Sequence, residues 1–190
     1  LIKGTSQLLF PGMRRLSENS VISIKNKSFS VTAQVVVPDR PLEGVIVAQG
    51  GAFGGWAFYA KEGKPKFVYN VLGLREFATE AERVAPPGEH QLRVEFAYDG
   101  GGLAKGGDVT LFLDGTPVGQ GRVEVTQPLI FSADETTDIG EDTSMPVSPD
   151  YKGIDRFNGT IDLVQIDVGK DDHDHLIDPQ DLVRIAMARQ

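Results

Sequence analysis

The chain has 190 residues, no cysteine and a formal net charge of −8, with a pI near 4.9. The acidic balance excludes a nucleic-acid or anionic-membrane surface, both of which need a basic face. The missing cysteines exclude disulfides, thiolate metal sites and cysteine nucleophiles, and without a run of about 18 apolar residues no helical membrane span is expected.

The chain opens at Leu1 rather than at a methionine, with no signal-peptide pattern after it. It therefore reads as a fragment or a processed product. Residues 1–20 form a lead-in assigned to the junction with an upstream domain. From there the periodicity is mostly two, the strand period. Phe29, Val31, Ala33, Val35 and Val37 alternate with Ser30, Thr32 and Gln34, and Pro38 ends the run. Residues 45–49 are a short apolar run closed by Gly50 and Gly51. Residues 56–60 and 67–71 flank the polar turn "KEGKP" and read as a hairpin. Residues 76–83 have the composition of a helical turn, stopped by "APPG" at 85–88. Leu92, Val94, Phe96 and Tyr98 alternate with polar neighbours, as do Val109, Leu111 and Leu113. Asp114-Gly115 then turns the chain into 118–125. In 160–168 the apolar positions change phase around Leu163 and Val164, the mark of a bulge or of burial on both faces.

One helix is expected, over 176–190. Asp178 suits its N-cap, Pro179 its first position, and Arg184 and Arg189 its C-terminal end. Leu182, Ile185 and Ala186 share one face that would pack on the sandwich or on a partner. The whole predicts an all-β antiparallel two-sheet sandwich over 1–175 with a short C-terminal helix.

The chemical motifs are weaker than they look. "FAYDGGGLAKGGDV" resembles a phosphate cradle, but a P-loop needs its Lys before Ser or Thr at a helix start. Here Lys105 precedes two glycines and a period-two strand, so the segment reads as a hairpin connection. "GGAFGGW" at 50–56 also joins two strands. Phe53, Trp56 and Tyr59 form a candidate aromatic platform for a sugar, against the reading of Trp56 as core. In the acidic segment 132–144, Asp134, Glu135 and Asp138 are the candidate metal ligands, hard oxygens of the kind calcium takes. Their spacing does not match an EF-hand loop, and a solvated acidic loop is the alternative. Nor do Glu135, Asp138 and Glu141 suit a glycosidase. Three apart on a strand, successive members fall on opposite faces, whereas paired catalytic acids must share one. His173 and His175 in "KDDHDH" have zinc-ligand spacing or form a charged surface turn. His90 has no adjacent nucleophile signature, and no G-x-S-x-G elbow is present. No catalytic residue is assigned.

Several stretches carry a family likeness: "LFPGMRRLSENS", "KNKSFSVTAQVVVP", "EGVIVAQGGAFGGWAFY", "EFAYDGGGLAKGGDVTLFLDG", "FSADETTDIGEDTSMPVSPDY" and "FNGTIDLVQIDVG". Together, from about Leu9 to Asp167, they resemble the C-terminal region of bacterial arylsulfatases. The strand alternation into "LFLDG" also resembles laminin-G and concanavalin A-like jelly rolls. The resemblance implies a non-catalytic domain of a sulfuric ester hydrolase, soluble in a bacterial cytoplasm or periplasm and packed on an upstream catalytic domain. It transfers no chemistry. The sulfatase C/S-x-P-x-R motif has no counterpart, since Ser144-Met145-Pro146 is followed by Val147 and Ser148. No cofactor is required of this chain, with calcium the one ion considered. The alternatives are a stand-alone lectin-like module that binds carbohydrate and, more weakly, a glycoside hydrolase of the same fold.

Overall fold

The computed structural model describes residues 4–132 and 135–169. Among the described residues eleven strands form: β1 (Ser6–Leu9), β2 (Phe29–Val37), β3 (Gly44–Gly51), β4 (Gly54–Lys61), β5 (Lys64–Val71), β6 (Arg75–Glu80), β7 (Gly88–Tyr98), β8 (Gly107–Leu113), β9 (Thr116–Val123), β10 (Thr137–Ile139) and β11 (Thr160–Val168). They build a six-stranded sheet in the order β1-β11-β2-β7-β8-β9 and a five-stranded sheet in the order β10-β3-β4-β5-β6. Every pairing between these strands is antiparallel. The fold is the two-sheet antiparallel sandwich that the alternation predicts.

Turn chemistry sets much of the register. Lys61 pairs with Lys64 across Glu62-Gly63, and Leu113 pairs with Thr116 across Asp114-Gly115. All four turn residues have positive φ, the condition for tight hairpin turns matched to strand twist. The phase change in β11 is a bulge between Ile161 and Leu163. The glycine-rich segment after β7 is a connection within a hairpin, since Tyr98 pairs with Gly107. Tyr98 ties it down by donating to the Gly102 carbonyl at 2.5 Å and accepting from the Lys105 amide at 3.0 Å. Gly50 has a φ of +83°, and a side chain there would strike the Gly54 carbonyl.

Between the sheets lies an aromatic core. Phe29 stacks on Phe96 with centroids 5.1 Å apart, and Trp56 lies 6.3 Å from Phe29 and 6.2 Å from Phe67. Aliphatic residues of β2, β7, β8 and β11 surround it. The lead-in belongs to this sandwich, because β1 pairs with β11 from Ser6–Asp167 to Leu9–Val164. Leu16 bridges to Thr137 on the facing sheet.

Two expectations change. Residues 75–80 are a strand, not a helical turn. Phe77 is half-buried and Thr79 buried while Glu76, Ala78 and Glu80 stay exposed, so the period is two, and pairing with β5 overrides helix propensity. The acidic segment is not a solvated loop: Thr137, Asp138, Glu141 and Asp142 are all buried. The expected C-terminal helix, His173 and His175 lie outside the described residues.

Candidate functional site

β4 is buried along nearly its whole length, because both faces of the five-stranded sheet are covered. Trp56 and Phe58 point into the sandwich. Ala57 and Tyr59 point outward, where they meet Val45, Ala48, Val68, Val147 and Tyr151 in a second apolar cluster. Segment 140–157 supplies that outer layer. Its backbone is hydrogen-bonded to the sheet margin, with the Val45 amide donating to the Asp155 carbonyl at 2.8 Å and the Gly140 amide to the Ile46 carbonyl at 2.9 Å.

The three aromatic candidates therefore do not meet. Trp56 is 0% exposed, its indole N–H donating to Gln49 Oε1 at 2.8 Å. Tyr59 is 1% exposed, on the opposite face of the same strand. Neither can stack on a ligand in this fold, because core packing encloses both. Phe53, in the turn between β3 and β4, is 66% exposed.

Of the metal candidates, Asp134 lies outside the described residues. Asp138 has both oxygens engaged: the Arg15 amide donates to Oδ1 at 2.6 Å, and the Thr143 amide and hydroxyl donate to Oδ2 at 2.7 and 2.6 Å. Glu135 lies against Gly51 instead. Among the described residues no group of three acids or histidines is arranged to hold a metal ion. His90 Nδ1 is 2.7 Å from Asp114 Oδ2 at the end of a hairpin.

What the outer layer does form is a groove of ≈550 Å³. Leu74, Arg75 and Glu76 line it from the turn and start of β6, and Pro146, Ser148, Tyr151 and Lys152 line it from the covering segment. Leu74 is 82% exposed. A β-carbon placed on Gly73 would lie 2.8 Å from the Ala52 carbonyl oxygen and 3.7 Å from Phe53 Cα. The exposed Phe53, Leu72 and Leu74 thus belong to adjacent turns at one end of the sheet.

Buried polar groups fix the groove. The Asn70 amide donates to the Val147 carbonyl at 2.8 Å, and its Oδ1 accepts from the Gly73 amide at 2.9 Å. One side chain therefore ties both margins. Ser148 Oγ donates to Glu76 Oε1 at 2.8 Å. Asp150 anchors the covering segment by accepting from the Tyr59 hydroxyl at 2.8 Å, Lys61 Nζ at 2.7 Å and Lys66 Nζ at 2.5 Å. Burial alone would raise the Asp150 carboxyl, but bonds from Lys61, Lys66 and Tyr59 overcome it and hold it well below the usual range. Tyr59 moves the other way, pushed up by burial and by the Asp150 charge.

Deeper in the layer, the Tyr151 hydroxyl donates to Asp142 Oδ2 at 2.7 Å and accepts from the Val147 amide at 3.2 Å. Burial pushes Asp142 up to about 6, against the hydrogen bond from Tyr151, with nearby Asp138 adding to the rise. Sequence reasoning did not find Asn70, Asp150 or Tyr151. The one available signal was the odd spacing of Trp56 and Tyr59, which puts them on opposite faces of a strand and requires an outer cover.

No protein-family model and no curated protein matches the chain. Solved structures do share its fold. A structure of botulinum neurotoxin type C, whose cell entry depends on interaction with two ganglioside molecules, superposes with a TM-score of 0.51 at 15% identity, covering 97% of this chain and 43% of that one. Mouse laminin α1 domains LG4-5 give a TM-score of 0.47 at 15% identity, over 88% of this chain and 43% of that one. The CBM40 domain of a Ruminococcus gnavus sialidase, bound to α2,6-sialyllactose, gives 0.45 at 14% identity, over 78% and 80%. The chain thus spans less than half the length of the neurotoxin and laminin chains. The neurotoxin superposition agrees with the two-sheet sandwich fold, and nothing in the comparisons ties the chain to an arylsulfatase.

Proposed function

We propose that the chain is a lectin-like carbohydrate-binding module that takes a saccharide in the groove between the 72–76 turn and segment 146–153. The groove itself carries this reading: a preformed opening of ≈550 Å³ with apolar walls at Leu74, Pro146 and Tyr151 and a few fixed polar groups. Sites for small ligands combine these features, an apolar surface for most of the contact and a few placed polar atoms for orientation. Leu74 offers apolar surface to the face of a sugar ring, while the exposed Glu76, held by the buried Ser148, stands where a hydroxyl can reach it. The fold shared with the ganglioside-binding neurotoxin makes glycans the first ligand class to test.

The test is binding of the purified chain to a broad glycan panel, with ligand-induced amide shifts mapped by NMR. Shifts concentrated in 72–76 and 146–153, with binding weakened by Leu74→Ser, are expected. An inert panel, or shifts confined to another face, would overturn the reading.

A second reading keeps the resemblance stated above: this is a supporting domain of an arylsulfatase-like enzyme. The exposed Phe53, Leu72 and Leu74 favour it, as a surface that a neighbouring catalytic domain would bury. The intact mass of the native gene product decides it. A product of several hundred residues with C/S-x-P-x-R upstream supports it, and a product of this chain alone removes it.

A further inference from the structure

The end of the sandwich at which β11 stops is rich in exposed apolar side chains. Phe29 of β2 pairs with Phe96 of β7 and with Val168 of β11, so the start of β2 and the ends of β7 and β11 lie together there. Gly169 follows, its amide donating to the Ser28 carbonyl at 2.8 Å. From this point hydrogen bonds lead across the loops. Ser28 Oγ accepts from the Tyr98 amide at 3.0 Å, and the Tyr98 hydroxyl donates to Gly102. Asn26, itself buried, accepts from the Ala104 amide at 2.9 Å and donates to the Pro128 carbonyl at 2.8 Å. One amide side chain thereby holds the glycine-rich connection against the turn after β9. Next to those two bonds stand Leu103 and Leu129, and with Ile130 they are 47%, 76% and 52% exposed. Glu18 fastens the far side of that turn by accepting from the Phe131 amide at 3.0 Å. Three large apolar side chains are thus held at one end, open to water, on backbone that is tied down. Such a patch marks a surface that another element covers.

We infer that the chain's own residues 170–190 cover this end, laying the face of Leu182, Ile185 and Ala186 on Leu103, Leu129 and Ile130. The occupant follows from where the described residues end. Gly169 closes β11, and the connection between β7 and β8 lies two to three strands further along the same sheet, about 10–15 Å away at the usual spacing. Extended, residues 170–175 reach about 20 Å, enough to bring Asp178, the expected helix start, onto the patch. A helix from there to Arg189 is about 17 Å long. The linking residues also carry the complementary charge. Asp171, Asp172 and Asp174 follow an exit flanked by Lys27, next to Ser28, and by Lys105, whose amide is held by Tyr98. Exposed ion pairs add little affinity, so they set the direction of the segment while buried apolar area holds it. A short covalent link supplies an effective concentration of roughly millimolar, which a second copy or a separate domain lacks. The contact uses none of the groove residues and is independent of the saccharide reading.

The test uses the full chain. Because it has no cysteine, Gln180→Cys places a single nitroxide label, at a position off the Leu182, Ile185 and Ala186 face of a helix. Paramagnetic broadening of the amide signals then reports what residues 176–190 approach. Amides of 100–105 and 126–131 are expected to lose most of their intensity relative to the reduced label. Those at the opposite end, in the Glu62-Gly63 turn and around Val84, which lie against one another, are expected to keep theirs. Leu182→Ser with Ile185→Ser should restore the lost intensity, as should Leu129→Ser with Ile130→Ser. Unchanged shifts in β7 and β8 show that the sandwich of each variant is folded. A second sample mixes labelled chain at natural isotope abundance with label-free, isotope-enriched chain. Broadening in that mixture means that another copy supplies the covering segment, and it overturns the inference. Broadening confined to another surface, or none anywhere, overturns it as well.

Discussion

Tyr151 and Asp142 share a buried hydrogen bond of 2.7 Å, phenol to carboxylate, beneath the segment that walls the groove. The Tyr151 ring packs 5.2 Å from that of Tyr59, which in turn donates to Asp150. One acid at the base and one at the rim thus hold a single aromatic pair, and the two acids respond to pH in opposite senses.

Stability is expected to peak on the acid side of neutrality. Asp142 titrates near 6 when folded against an ordinary 3.8, so its ionised form costs the fold about 3 kcal/mol once both states are charged. That cost fades as pH falls from about 6 to about 4, and stability rises. Asp150 is held below its ordinary value. Its contribution is present above about 3.8 and is lost as pH falls through its folded value. Melting temperatures from pH 3 to 8 should therefore pass through a maximum near pH 4–5. Asp142→Asn should flatten the limb between about 5 and 8. A parent profile with no rise below pH 7 counts against the buried acid.

Trp56→Ala is expected to lower stability by about 3–5 kcal/mol, since it empties a fully enclosed site in the core. Urea unfolding measures it. A soluble, well-folded variant with unchanged midpoint would place Trp56 elsewhere than between Phe29 and Phe67.

Replacing Asp150 by Ala removes the acceptor for two lysines and one tyrosine, with an expected loss of about 1.5–3 kcal/mol. Amide exchange should speed up in 146–153 well before it changes in β7 and β8. Uniform acceleration across the sandwich would mean that the segment is held by something other than this acid.

Asp138 has its lone pairs committed to Arg15 and Thr143. Asp138→Ala should cost about 1.5–3 kcal/mol by orphaning those donors, equally in calcium and in chelator. A calcium-dependent rise in melting temperature that this variant abolishes would make Asp138 a ligand after all.

Much of the sandwich is legible in the sequence because period-two alternation reports burial on one face, and positive-φ turns at Glu62-Gly63 and Asp114-Gly115 report register. The aromatic candidates stay ambiguous in the sequence for a related reason. β4 is covered on both faces, so alternation there cannot mark a wet side, and the reading of Trp56 as core is the one that agrees with its burial. Phe53, in a turn, was the one candidate free of this ambiguity. The acids misled differently. Asp138, Glu141 and Asp142 look solvated in one dimension, and only the fold brings Arg15, Thr143, Arg14, Arg156 and Tyr151 to them. The groove was invisible for the same reason, since its two margins are about 75 residues apart and meet through Asn70 and Val147.

The way the sheets meet at their margins bears on how the molecule behaves when crowded. On one side β9 lies against β6, where a β-carbon on Gly119 would sit 2.6 Å from the Glu80 carbonyl and the Glu82 amide donates to Val118 at 2.7 Å. On the other, the Leu16–Thr137 bridge joins the lead-in to β10. A terminal strand with open backbone groups is a template for adding a strand from another molecule. Here β9 and β6 shield one another, and the lead-in at Met13 and Leu16 covers β10, so these three edges are closed to strand addition from a neighbouring molecule.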